Sequence, residues 1–245
     1  MSNPRSMYRG WKFLLAILMT PLCVAWVFAL VKLVQHWWAQ DGSSASWFGL
    51  LLIGAAGWLI AYLILPKPFW LYVFGHELTH VLAVYMSRGK VYDFKVTSQG
   101  GHVRSDRMNW WIALSPYCVP IYTLLWIFLW WCGDFYFSGD LWHSLLFLGI
   151  GLTWGFHLTF TLAVLHNQQP DLADQGYIFS LIVILAFNLF FFTLLFVILS
   201  KEITATQFLS MLWNESVICY SSVWKFFLTA CRWVHSHLLR HNLTS

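Results

Sequence analysis

Six apolar runs, each close to the roughly 20 residues a helix needs to cross a bilayer core, constrain this 245-residue chain more than any other feature. They cover residues 11–34, 47–65, 69–86, 110–132, 141–165 and 177–199. In a chain that is 59% hydrophobic and 10% charged, they predict an integral, multi-pass membrane protein. Tryptophans sit at or near their ends, among them Trp37, Trp38, Trp70, Trp110, Trp111, Trp130, Trp131 and Trp142, where an amphipathic ring prefers the headgroup level. Pro66-Lys67-Pro68 separates the second run from the third, since neither proline continues a helix. The basic residues ahead of the first run superficially resemble a secretory signal, but that run is long and no small-residue cleavage site follows, so an uncleaved first span is expected.

The fourteen Lys and Arg are scattered through short loops, which excludes a nucleic-acid-binding surface as the reading and fits membrane-flanking charge. Their division is eight (Arg5, Arg9, Lys12, Lys67, Lys201, Lys225, Arg232, Arg240) against six (Lys32, Arg88, Lys90, Lys95, Arg104, Arg107), too even to orient the chain. The five cysteines form no CxxC pair, so neither a disulfide framework nor a cysteine metal site is expected. Residues 87–109 are the one long polar loop; Val91, Phe94, Val96 and Val103 with Gly100-Gly101 predict a short hairpin. After residue 200, Phe208, Leu209, Leu212, Trp213, Trp224, Phe227 and Leu228 recur at helical spacing among polar residues, which predicts an interfacial amphipathic helix. Gly151 and Gly155 are spaced for close helix packing. His157 reads as a core residue or a proton relay.

Against this background FGHELTH, residues 74–80, is anomalous, because it places His76, Glu77 and His80 inside an apolar run. Each charged group there costs about 2.5 kcal/mol or more unless paired. The two histidines are four residues apart, so one helical face presents both imidazoles to a single metal ion. Glu77 then stands beside that ion, the position of a general base for a zinc-activated water. A third protein ligand is expected from residues 166–176, which offer His166, Asp171 and Asp174 and emerge on the same side as the 87–109 loop after two crossings.

FGHELTH, the RGKVYDFKV and QGGHV segments, LSPYCVP at 114–120, and an Asn-x-x-Pro (Asn167, Pro170) followed by aspartate resemble the site-2 protease group of intramembrane zinc metalloproteases, peptidase family M50, over residues 69–199. Two departures stand out: Thr79 replaces the usual glycine of the motif, and neither aspartate is followed by glycine. The apolar runs, the hairpin signal and the tail periodicity predict an all-α polytopic transmembrane helix bundle of about six spans, with a short β-hairpin, which the resemblance puts next to the active site, and a C-terminal amphipathic helix. Residues 1–68 would supply two N-terminal spans, 69–199 the metalloprotease core and 200–245 the tail. The resemblance implies Zn2+ held by His76, His80 and Asp171, or alternatively Asp174, with Glu77 catalytic. Asn167, Gly100 and Gly101 would serve substrate binding or support the ligands. The implied reaction is peptide-bond hydrolysis in or near the bilayer, with a membrane-protein or peptide substrate and the lipid bilayer as partners and no nucleic acid. The competing expectations are a non-catalytic pseudo-protease or transporter, and a non-protease membrane metalloenzyme such as a desaturase, for which no HxxHH box is present.

Overall fold

The computed structural model describes residues 4–41, 46–166, 170–200 and 203–242. The chain is almost wholly helical, with one two-stranded sheet. The elements are α1 (Pro4–Asp41), α2 (Ser46–Ile64), α3 (Phe69–Met86), β1 (Val91–Thr97), β2 (Gly100–Ser105), α4 (Trp110–Cys118), α5 (Ile121–Gly133), α6 (Asp140–His166), α7 (Pro170–Gln175), α8 (Tyr177–Ser200) and α9 (Ala205–Asn242).

Four described helices are long and apolar enough to cross a membrane: Gly10–Ala39, Trp47–Ile64, Asp140–Leu165 and Tyr177–Leu199. Helices α4 and α5, bent by 63° across a short break, make five if counted as one span. This agrees with a multi-pass membrane protein. The break follows from LSPYCVP, because Pro116 has no N–H for the helical ladder and Val119, extended before Pro120, cannot stay helical. Of the six runs read from the sequence, residues 69–86 are the one not among these spans. This is α3, whose two histidines and glutamate dilute its apolar character.

The described structure clusters into two compact units, residues 1–12 with 41–188 and residues 13–40 with 189–245. In the first, α2 lies against α6 at close range. A Cβ on Gly151 would fall on the carbonyl of Leu51, one on Gly54 would fall on that of Leu148, and one on Gly155 would lie 3.1 Å from Trp58. Small residues therefore set the approach of these helices, and Trp58 Nε1 donates to Thr159 Oγ1 at 2.9 Å across the seam. Gly151→Leu should force the pair apart and cost about 1–3 kcal/mol or more. A lowered Tm with loss of monodispersity in detergent would register it.

The hairpin packs on α3 through Phe74 and Phe94, whose ring centroids are 6.3 Å apart. Strands β1 and β2 are antiparallel, with Phe94 opposite Val103 and Thr97 opposite Gly100. The reversal falls on Ser98 and Gln99, and the two glycines open β2 instead of forming the turn itself. Gly100, at φ 151°, takes a backbone that other residues rarely adopt. Asp93 pairs with His102 at 3.0 Å, and that imidazole holds the Asp93 carboxyl below the usual carboxylate range.

In the second unit, Trp26 Nε1 donates to Thr193 Oγ1 at 2.9 Å, Trp37 meets Phe196 edge-on and Lys32 pairs with the buried Glu215. Helix α9 rests on α1 near its start, where Phe208 is buried and Tyr220 donates to the Leu18 carbonyl at 2.6 Å. Residues 222–235 are exposed along their whole length.

Candidate metal centre

Helix α3 begins directly after Pro68 and carries His76 and His80 one turn apart, ring centroids 4.9 Å from each other. Their partner comes from α7, a short helix opened by Pro170, a residue suited to a first helical position because its missing N–H is not needed there. Leu172, fully buried, fixes α7 against the core, and Ser180 Oγ donates to the Leu172 carbonyl at 3.1 Å. Gly176, at φ 93°, then reverses the chain into α8. This arrangement turns Asp171 toward α3. Its Oδ2 lies 3.7 Å from His76 Nε2 and 3.6 Å from His80 Nε2.

One ligand atom from each of the three residues lies within 4.8 Å of the others, and among the described residues this is the cluster able to hold a metal ion. Two imidazole nitrogens and a carboxylate oxygen suit a divalent ion such as zinc. The observed 3.6 and 3.7 Å separations are close to the edge of a tetrahedron with ligand bonds of about 2.0 Å, roughly 3.3 Å. The two imidazole nitrogens, within 4.8 Å of each other, would close to the same spacing to complete it, and the donor types fit.

The groups behind the cluster hold it in a ligating form. His80 Nδ1–H donates to the carbonyl of Ile112 at 2.8 Å, which leaves the Nε2 lone pair facing Asp171. His76 Nδ1 is 3.3 Å from the Tyr72 hydroxyl, one turn earlier on α3. Tyr117 Oη donates to Asp171 Oδ2 at 3.4 Å. Asn188 Nδ2 in turn donates to the Tyr117 carbonyl at 3.0 Å, where the break after α4 frees it. Burial would raise the Asp171 carboxyl, but imidazoles protonated at Nε2, the form that a metal would displace, outweigh it by hydrogen bonding and charge and hold the group well below the usual carboxylate range. Outer hydrogen bonds of this kind are worth 10–100-fold in metal affinity. At 3.4 Å the Tyr117 bond belongs at the lower end, so Tyr117→Phe should weaken metal binding about tenfold in a competitive chelator titration.

Glu77 is buried beside the cluster. It lies against the hairpin at Gly101, where a Cβ would approach Glu77 Cγ to 2.6 Å and Oε1 to 2.9 Å. Only a glycine admits the carboxylate there. A cavity of about 270 Å3 is bounded by His76, Glu77, His80 and Asp171 on one side and by β2 from Gly101 to Val103 on the other.

Of the residues singled out from the sequence, His76, Glu77, His80, Asp171 and Gly101 therefore border one cavity, and Gly100 borders its neighbour. Asp174 is exposed and outside the cluster. Asn167 lies outside the described residues, as does the side chain of His166. His157 is buried on α6 near Tyr72 and His76. Sequence reasoning gave no role to Tyr72, Tyr117 or Asn188. Tyr72 was accessible to it, being four residues before His76 and so on the same helical face; the other two depend on the α4–α5 break.

Fold and site together define a class: a multi-span helical protein with a His-His-Asp cluster beside a short hairpin. No protein-family model, curated protein or solved structure matches the chain.

Proposed function

We propose that this chain is an intramembrane zinc metalloprotease of the site-2 protease type, family M50, in which His76, His80 and Asp171 hold the ion and Glu77 is the general base. In this reading α3 is a sixth span, shielded from lipid by its neighbours and by the hairpin. The observation that carries the proposal is the meeting of three ligand atoms within 4.8 Å, beside a buried glutamate, on a helix of an otherwise apolar chain. Three such groups would be costly there without a dication to pair them.

Zinc, when bound, supplies Lewis acidity that polarises a carbonyl and lowers the pKa of water. The chain's own residues do the rest. Glu77, adjacent in sequence to one ligand and held in place by Gly101, takes the proton of the attacking water and returns it to the leaving amine. Strand β2 has one strand neighbour, β1, among the described residues, so its outer edge borders the cavity with free backbone groups. A substrate segment added to that edge is held extended, which exposes the carbonyls a helix conceals.

The reading is tested by incubating the purified full chain with a peptide corresponding to a single transmembrane segment. Cleavage abolished by a zinc chelator and restored by stoichiometric zinc is expected; cleavage indifferent to chelation, or absent with zinc fully loaded, would overturn it. Intact Glu77 and both histidines favour catalysis over a pseudo-protease. One three-residue cluster among the described residues fits a di-iron enzyme less well than a mononuclear one.

A further inference from the structure

A second cavity, also about 270 Å3, adjoins the first and shares His76, Glu77 and Gly101 with it. It lies at the Gly100 end of β2, whereas the metal-side cavity continues along β2 toward Ser105. The walls it does not share are Phe69, Tyr72 and Val73 from α3, Val164 from α6, and Gln99 and Gly100 at the tip of the hairpin. Tyr72 is stacked on Phe160 at 4.7 Å and 10° between planes, so this wall is pre-formed. Among the described residues, Glu77 is the one carboxylate that lines it, and no lysine or arginine does.

We propose that this cavity is a subsite that takes one large apolar side chain of the substrate, the residue next to the scissile bond on the Gly100 side. The inference rests on the proteolytic reading above and adds its specificity. An extended segment along β2 must pass Glu77, because Gly101 and Glu77 are in contact where the two cavities meet. Side chains of an extended strand alternate between faces, so the residue flanking the reacting carbonyl on that side is directed toward α3 or away from it. The face toward α3 offers an apolar hollow with room for Leu or Phe, and filling it removes apolar surface from water. The other flank of the bond meets the metal-side cavity, where Ser105 and His102 are mixed with Val84, Met108 and Ile112. The chain should therefore read bulk and apolarity on the Gly100 flank of the cleaved bond.

The test uses the full chain and a set of transmembrane-segment peptides differing at one position each (Ala, Leu or Phe), with cleavage sites located by mass spectrometry. Wild type should favour Leu or Phe over Ala about tenfold or more in kcat/KM at one position flanking the bond. Val164→Phe should bring that ratio close to one by filling the hollow, with the Ala peptide cleaved at a near-normal rate. Phe69→Ala, at a half-exposed position, should instead widen acceptance to Trp, which guards against a misfolded Val164 variant. In Glu77→Gln, a photo-reactive phenylalanine at the same peptide position should crosslink to residues 69–73 or 164. An unchanged ratio in both variants, or crosslinks confined to the Ser105 end, would overturn the subsite. Crosslinking at residues 69–73 with no cleavage by wild type would retain the subsite and defeat the proteolytic reading; neither cleavage nor crosslinking would defeat both.

Discussion

Glu77→Gln is expected to lower peptide cleavage by about 10²–10⁴-fold, the range removed with a positioned general base, while zinc content and thermal stability stay near wild type. The substitution keeps the shape of the side chain, so its fit beside Gly101 survives. It also leaves the three ligand atoms untouched, because Glu77 is not one of them. What it removes is the carboxylate that, in the proposed mechanism, accepts and returns a proton. Replacing a buried ionisable group by a neutral amide carries little folding penalty in such surroundings, and a small gain in stability would agree with that. Cleavage within a factor of about three of wild type would assign Glu77 a packing role and remove the base from the mechanism.

Asp171→Ala is expected to lower zinc affinity by well over 100-fold, beyond the 10–100-fold typical of groups that merely orient ligands. Two imidazoles from one helix remain, and two ligands do not complete a structural or catalytic zinc site. The buried histidines also lose their carboxylate partner, 3.6 and 3.7 Å away, so the metal-free variant should lose stability as well. Asp174→Ala is the control, since that residue is exposed and three positions further along α7. Competitive titration of both variants against a chromophoric chelator separates the two. Equal affinity losses, or a loss confined to Asp174→Ala, would move the third ligand.

The membrane class and helical content were legible in the sequence because hydropathy over about 20 residues is a strong, local signal. The His76-Glu77-His80 arrangement was legible for the same reason of locality, since spacing of four residues defines a helical face. The choice between Asp171 and Asp174 was not, as both sit in one short helix and only the packing of Leu172 decides which one faces α3. The place of Gly100-Gly101 was half legible. Two adjacent glycines mark a special backbone, but their location inside β2, with Gly101 against Glu77, depends on contacts between segments more than twenty residues apart. The supports from Tyr117, the Ile112 carbonyl and Asn188 had no sequence signal at all. They exist because prolines at 116 and 120 break α4 from α5 and leave backbone groups to be satisfied from elsewhere. In the same way α3 read as a span from its flanking apolar residues, yet its own polar groups keep it outside the set of helices apolar enough to cross by composition alone.

The most direct test of the account is the metal itself: elemental analysis of the full chain purified without chelator, combined with X-ray absorption at the zinc edge. The account predicts one zinc per chain, bound by two imidazole nitrogens and carboxylate oxygen at about 2.0 Å. Protein that is folded yet carries no stoichiometric zinc, or zinc in a sulfur-rich shell, would contradict it.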